Sequence, residues 1–112
     1  MVRDIRESQF QAELRQSFHR AYPKNARSQL TYSISGEPDL VLAYMSGRKA
    51  HAMYVECKYM RRPPSHLRTV WDLLRGIQKV QMMNMAKAGK SVYIALCIDG
   101  KEVWWYKFSQ AQ

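Results

Sequence analysis

Carboxylates are scarce in this chain: nine Asp and Glu stand against eighteen Lys and Arg, a formal net charge of +9 over 112 residues. Such an excess supplies the salt-sensitive, sequence-independent part of affinity for a polyanion, without separating an enzyme acting on it from a passive binder. Cysteine is nearly absent. Cys57 and Cys97 both fall in apolar runs, no Cys/His spacing resembles a zinc site, and the expectation is two buried, reduced thiols, a contact between them staying open. No apolar run approaches a membrane span and no secretory apolar core follows Met1, so an intracellular, cytoplasmic protein is expected. Ser33-Ile34-Ser35-Gly36-Glu37 has too little glycine for a phosphate-cradling loop, which sets aside an ATP-driven enzyme. Repeats, low-complexity tracts and linkers are missing too. With 46% hydrophobic residues there is apolar material for one core, so residues 1–112 are expected to form a single domain.

What is present starts with strands. Leu40-Val41-Leu42-Ala43-Tyr44 is an apolar run, Ser46-Gly47-Arg48-Lys49 has turn chemistry, and Ala50 to Lys58 is a second run rich in Tyr, Val and Met. Side chains alternate along a strand, so Glu56 and Lys58 share one face while Val55 and Cys57 take the other. Pairing the two runs brings Asp39, which opens the first, to the same end of the hairpin as Glu56 and Lys58. Two carboxylates suit a hard ion, Mg2+ or Mn2+, that keeps waters and a substrate phosphate in its other positions. The lysine would stand where charge builds up on that phosphate.

The flanking periodicity is helical. From Arg6 to Tyr22 a turn of 100° per residue lines up Phe10, Leu14, Phe18 and Ala21, with Pro23 as the stop. Glu7 falls near the centre of that stripe and Glu13 well off it. An acid there needs a partner, unless it serves the helix dipole from the first turn. From Leu67 to Ala88 a second helix is predicted, its stripe being Leu67, Val70, Trp71, Leu74, Ile77, Met82 and Met85. Gln78 lies at its middle, Gln81 a short rotation away, and Gly76 marks a kink or a close contact. Ser91 to Ile98 reads as a strand covered on both faces, Asp99-Gly100 as a hairpin turn, and Val103 to Phe108 as the last strand. An earlier strand is expected near Leu30 to Ile34.

Gly36-Glu37-Pro38-Asp39-Leu40 followed by Tyr54-Val55-Glu56-Cys57-Lys58 resembles the signature of the PD-(D/E)XK nuclease superfamily. The helix from Gln78 to Gly89 resembles that of VRR-NUC domains and RecU-type Holliday junction resolvases. The resemblance covers nearly the whole chain. It implies an α/β (mixed α+β) fold with a restriction-endonuclease-like core: a helix, a three-stranded antiparallel meander, a helix, then further strands, with helices flanking a mixed sheet. It also implies a Mg-dependent DNA endonuclease, structure-specific for branched DNA or Holliday junctions. In that reading Asp39, Glu56, the backbone carbonyl of Cys57 and Glu7 hold the metal. Whether one or two metals act stays open, Glu7 and Glu37 being the candidates for recruiting a second ion. Lys58 grips the phosphate and Gln78 faces the site. A buried Gln78 that merely caps backbone groups is the competing account. The other functional readings are a nicking or sequence-directed nuclease of a phage, mobile element or defence system, and a DNA-binding module without catalysis.

Basic residues place the expected DNA contacts. Arg61 and Arg62, followed by two prolines, His66 and Arg68, come directly after Lys58; Arg48 and Lys49 sit on the hairpin turn. Arg3, Arg6, Arg15, Arg20, Lys24 and Arg27 form a second basic region. His19, His51 and His66 make no ligand set. Of Trp104 and Trp105, alternation puts one in the core and the other at an interface, base stacking being the rival role. Leu73, Val80 and Met83 form an apolar back face whose exposure would point to a homodimer, packing within the chain being the alternative.

Overall fold

The computed structural model describes residues 5–22, 27–30, 38 and 40–108. The elements run α1 (Ile5–Ala21), β1 (Arg27–Leu30), β2 (Leu40–Ser46), β3 (Lys49–Met60), α2 (Leu67–Asp72), α3 (Gly76–Lys87), β4 (Ser91–Ile98) and β5 (Glu102–Lys107). Among the described residues the sheet has five strands, in the order β1-β2-β3-β4-β5. β1, β2 and β3 form an antiparallel meander, β3 pairs with β4 in parallel, and β5 returns antiparallel to β4. The expected order of elements is therefore present. β1 starts earlier than predicted, with Arg27 opposite Ala43, and Thr31 to Ile34 lie outside the described residues.

Alternation divides the sheet into two cores. Leu40, Leu42, Val55, Cys57, Ala95 and Cys97 pack under Phe10 and Phe18 of α1, while Val92, Ile94, Leu96 and Ile98 pack under Val70, Leu74 and Met82, closed by Phe108. β4 contributes to both faces, which is why its sequence is apolar almost throughout. Both cysteines are buried thiols outside any disulfide. Cys57 pairs with Ala95, two residues before Cys97. With strands about 4.8 Å apart and a rise of about 3.3 Å per residue, that diagonal is about 8 Å, beyond the reach of a disulfide.

The second predicted helix is two. Leu73 and Leu74 close α2 with short-range bonds to the carbonyls of Val70 and Trp71, at 3.2 and 3.1 Å. Arg75 is extended (φ −73, ψ 158), and α3 starts afresh at Gly76. This break resets the helical phase, so Ile77, predicted to face the core, is exposed; Leu67, the first residue of α2 and also predicted to face the core, is exposed as well. At its far end α3 stops on Gly89 (φ +88), where the Lys90 amide reaches the Met85 carbonyl and that of Gly89 reaches Ala86. This glycine stop turns the chain straight into β4. The β4–β5 turn uses Asp99 (φ 53) and Gly100 (φ 72), as its dipeptide predicts.

Candidate active site

Pairing with β4 on one side and β2 on the other holds β3 at the middle of the sheet, where Glu56 is opposite Ile94 and Lys58 opposite Leu96. Glu56 is 1% exposed although it carries a carboxylate. A charge so deeply desolvated persists only with hydrogen-bond and ionic partners. Two are present on Oε2: Gln78 Nε2 donates at 2.9 Å from α3, and the Lys58 ammonium lies at 3.3 Å. The strand period accounts for Lys58, two residues on and on the same face.

Gln78 is held from behind. Its Oε1 accepts the Arg75 backbone N–H at 3.0 Å, so one end of the amide caps the first turn of α3 and the other reaches the carboxylate. Gln78 thus caps a backbone group, as one reading of the sequence has it, and also meets Glu56. The contacts also fix which way the amide points. Flipped, it would set oxygen against Glu56 and NH2 against an N–H donor. Gln81, the alternative, is only half-buried.

Pro38 is buried and Leu40 pairs with Val55, next to Glu56. Asp39 and Glu37 lie outside the described residues, and so does the side chain of Glu7, whose backbone belongs to α1. Among the described residues no group of three or more His, Cys, Asp or Glu could hold a metal ion. The described donors are one buried carboxylate and the Cys57 carbonyl beside it. Oxygen donors of this kind suit a hard dication, and a full set needs the expected carboxylates of Asp39 and Glu7.

Arg61 and Arg62 are exposed just beyond β3, and Arg68 is exposed with its guanidinium 3.6 Å from Asp72. Arg48 and Lys49 are exposed at the opposite end of β3, seven residues from Glu56 in the case of Lys49, which is about 23 Å along a strand. They do not belong to the immediate surroundings of Glu56. Trp104 is half-buried against the α2/α3 core, and Trp105 is 45% exposed and edge-on to Tyr93. Val80 is exposed, whereas Leu73 and Met83 pack against the chain's own core, so the apolar back face is smaller than expected.

Two polar features escaped the sequence reading. Tyr54 lies two residues before Glu56 and therefore on its face, with Lys90 5.1 Å above its ring and 3.3 Å from its hydroxyl. Strand alternation alone placed Tyr54, but Lys90 arrives through the glycine stop of α3. Gln11 of α1 is 2% exposed. The helical wheel carried that signal, since Gln11 falls about 20° from Phe18.

A meander joined in parallel to a fourth strand through helices, with α1 on the other face, defines a restriction-endonuclease-like fold. Among solved structures the chain is similar to Hjc, a Holliday junction resolvase of the archaeal hyperthermophile Archaeoglobus fulgidus. The TM-score is 0.63 at 16% identity, covering 91% of this chain and 77% of that one. No family model matches the sequence, and no curated protein does.

Proposed function

We propose that this chain is a divalent-metal-dependent endonuclease that hydrolyses phosphodiester bonds in branched DNA. One observation carries the reading: a carboxylate 1% exposed, held jointly by an amide and an ammonium, where the motif resemblance puts a nuclease site. The shared fold with a resolvase supports it.

In this reading Asp39, Glu56 and the Cys57 carbonyl, helped by Glu7, would hold Mg2+ or Mn2+. The bound ion would lower the pKa of a water and offset the extra charge of the in-line transition state. The protein's own contribution is positional. Gln78 fixes the orientation of Glu56 and is itself fixed by the Arg75 amide. Lys58 has three donors, one directed at Glu56, which leaves two for a phosphoryl oxygen and the attacking water. Arg61 and Arg62, at the exit of β3, would hold neighbouring phosphates. A homodimer belongs to the same reading, Ile77 and Val80 offering adjacent exposed apolar side chains on α3.

The test is incubation with Mg2+ and a panel of supercoiled, linear, single-stranded and four-way-junction DNA. Wild-type protein is expected to cut the junction preferentially. Lys58→Ala should bind DNA but lose cleavage by about 100-fold or more, and Asp39→Ala should lose cleavage together with metal binding measured by calorimetry. Full activity in either variant would overturn the assignment.

A further inference from the structure

Away from Glu56, at the β2–β3 turn end of the sheet, three aromatic rings form a continuous pile. Tyr22, just after α1, stacks on Tyr44 of β2 with ring centres 4.7 Å apart and planes 30° apart, and Tyr44 stacks on His51 of β3 at 5.0 Å and 16°. Phe18 meets Tyr44 edge-on from below, at 5.9 Å and 74°, and ties the pile to the core. Tyr22 is 37% exposed. Core aromatics mostly meet edge-to-face or offset within a closed interior. This pile instead reaches the surface at Tyr22, with Tyr44 and His51 half-buried and Phe18 also leaning on Tyr22 at 5.3 Å and 44°.

The charge along the elements that carry it is of one sign. No Asp or Glu occurs between Glu13 and Glu37 or between Asp39 and Glu56, the stretches that make the second half of α1, β1, β2 and most of β3. Over the same stretches stand Arg15, Arg20, Arg27, Arg48 and Lys49. Arg20 is exposed on the last turn of α1, and Arg48 and Lys49 are exposed on the turn next to the pile. Aromatic faces in a carboxylate-free basic field are the two components of a surface for unpaired nucleotides: bases stack on rings while the backbone lies along cations. A duplex keeps its base faces covered and could use only the cations.

We infer that the Tyr22–Tyr44–His51 pile with Arg48 and Lys49 binds unpaired nucleotides of a nucleic acid strand. The pile lies on the opposite face of the sheet from Glu56. His51 is five residues from Glu56, about 17 Å along β3. This surface therefore takes a strand, or part of one, separate from the phosphate being cut. The inference deepens the nuclease reading by naming an unpaired strand as part of the substrate, and it rests on that reading only for the cutting.

The experiment measures binding in EDTA, so that no cleavage is involved. The probe is a fluorescent oligothymidylate of roughly 15 nucleotides, titrated by anisotropy against a duplex of equal length and against phosphatidylserine vesicles. Tyr22→Ala should weaken oligothymidylate binding about tenfold, within the range for loss of one base–ring stack, while Tyr22→Phe binds as wild type and both keep the wild-type thermal melt. Arg48→Glu with Lys49→Glu, on an exposed turn where folding is not at stake, should weaken binding further and reduce its salt dependence. Unchanged oligothymidylate affinity in Tyr22→Ala, or an equal loss of duplex or vesicle binding in that variant, overturns the inference. Ring-dependent binding by a protein that cuts nothing with Mg2+ would sink the nuclease reading alone; cutting with ring-independent binding would sink this inference alone.

Discussion

Gln78 carries two jobs with one amide, and removing it separates them. Gln78→Ala leaves the Arg75 N–H without its acceptor and removes the amide donor to Glu56, whose Lys58 contact remains. We expect a loss of about 1–3 kcal/mol in urea denaturation, together with lower activity. Gln78→Glu should be worse near neutral pH, because it sets a second carboxylate against Glu56; protonation relieves that repulsion, so its deficit should shrink as pH falls through the carboxylate range. Equal stability of Gln78→Glu and wild type at pH 7 would contradict the geometry. Cys97 gives a separate pH signature. Burial raises its thiol above the ordinary 9.0, the Glu13 and Asp99 carboxylates adding to this while a hydrogen bond from the Gly100 backbone opposes it. The folded form thus holds the proton more tightly. Its contribution is complete below the unfolded thiol's value and is lost as pH rises through the folded one. Denaturation of wild type and Cys97→Ala from pH 8 to 11 should show the shallower decline in the variant. At this scale the sequence was informative about Glu56, Lys58 and Gln78, because a period-two strand and a polar residue on an apolar stripe each fix a direction. It was silent about Lys90, whose approach to Tyr54 depends on where α3 ends.

Among the elements, the break between α2 and α3 is where periodicity misled. A single apolar stripe from Leu67 to Met85 reads well, yet the extended Arg75 restarts the phase and leaves Ile77 in solvent. Gly76 was the visible sign, although its role differs from the close contact considered. A Cβ there would meet nothing within 4 Å, and no positive φ is required. Gly76→Ala should therefore stabilise the protein by about 0.5 kcal/mol through the unfolded chain, with activity intact. Gly89, at φ +88, should behave oppositely, Gly89→Ala costing about 1 kcal/mol. A thermal-shift comparison of the two checks both signs. The strands needed less help from tertiary structure, since their alternation, the Asp99-Gly100 turn and the doubly apolar β4 are local properties.

For the whole molecule, charge and association are the testable properties. DNA affinity should fall steeply with salt, about tenfold or more between 50 and 200 mM if several phosphates are contacted, read by anisotropy in EDTA. Chelation should abolish cutting while leaving binding in place. If two copies meet through α3, Val80→Lys should shift the mass seen by analytical ultracentrifugation from dimer to monomer; an unchanged dimer would place the interface elsewhere. Among the described residues no helix is long and apolar enough to cross a membrane.

From its residues alone this chain determined a basic charge balance, the faces of its strands, and the placing of Glu56 and Lys58 on one face, because composition and periods of 2 and 3.6 act over short stretches. Only the tertiary structure decided that Gln78 would meet Glu56 across 22 positions of chain, that Arg48 and Lys49 would lie far from that carboxylate, and that Tyr22, Tyr44 and His51 would stack. Such contacts depend on which strand lies beside which and where a helix breaks, and no local period encodes either.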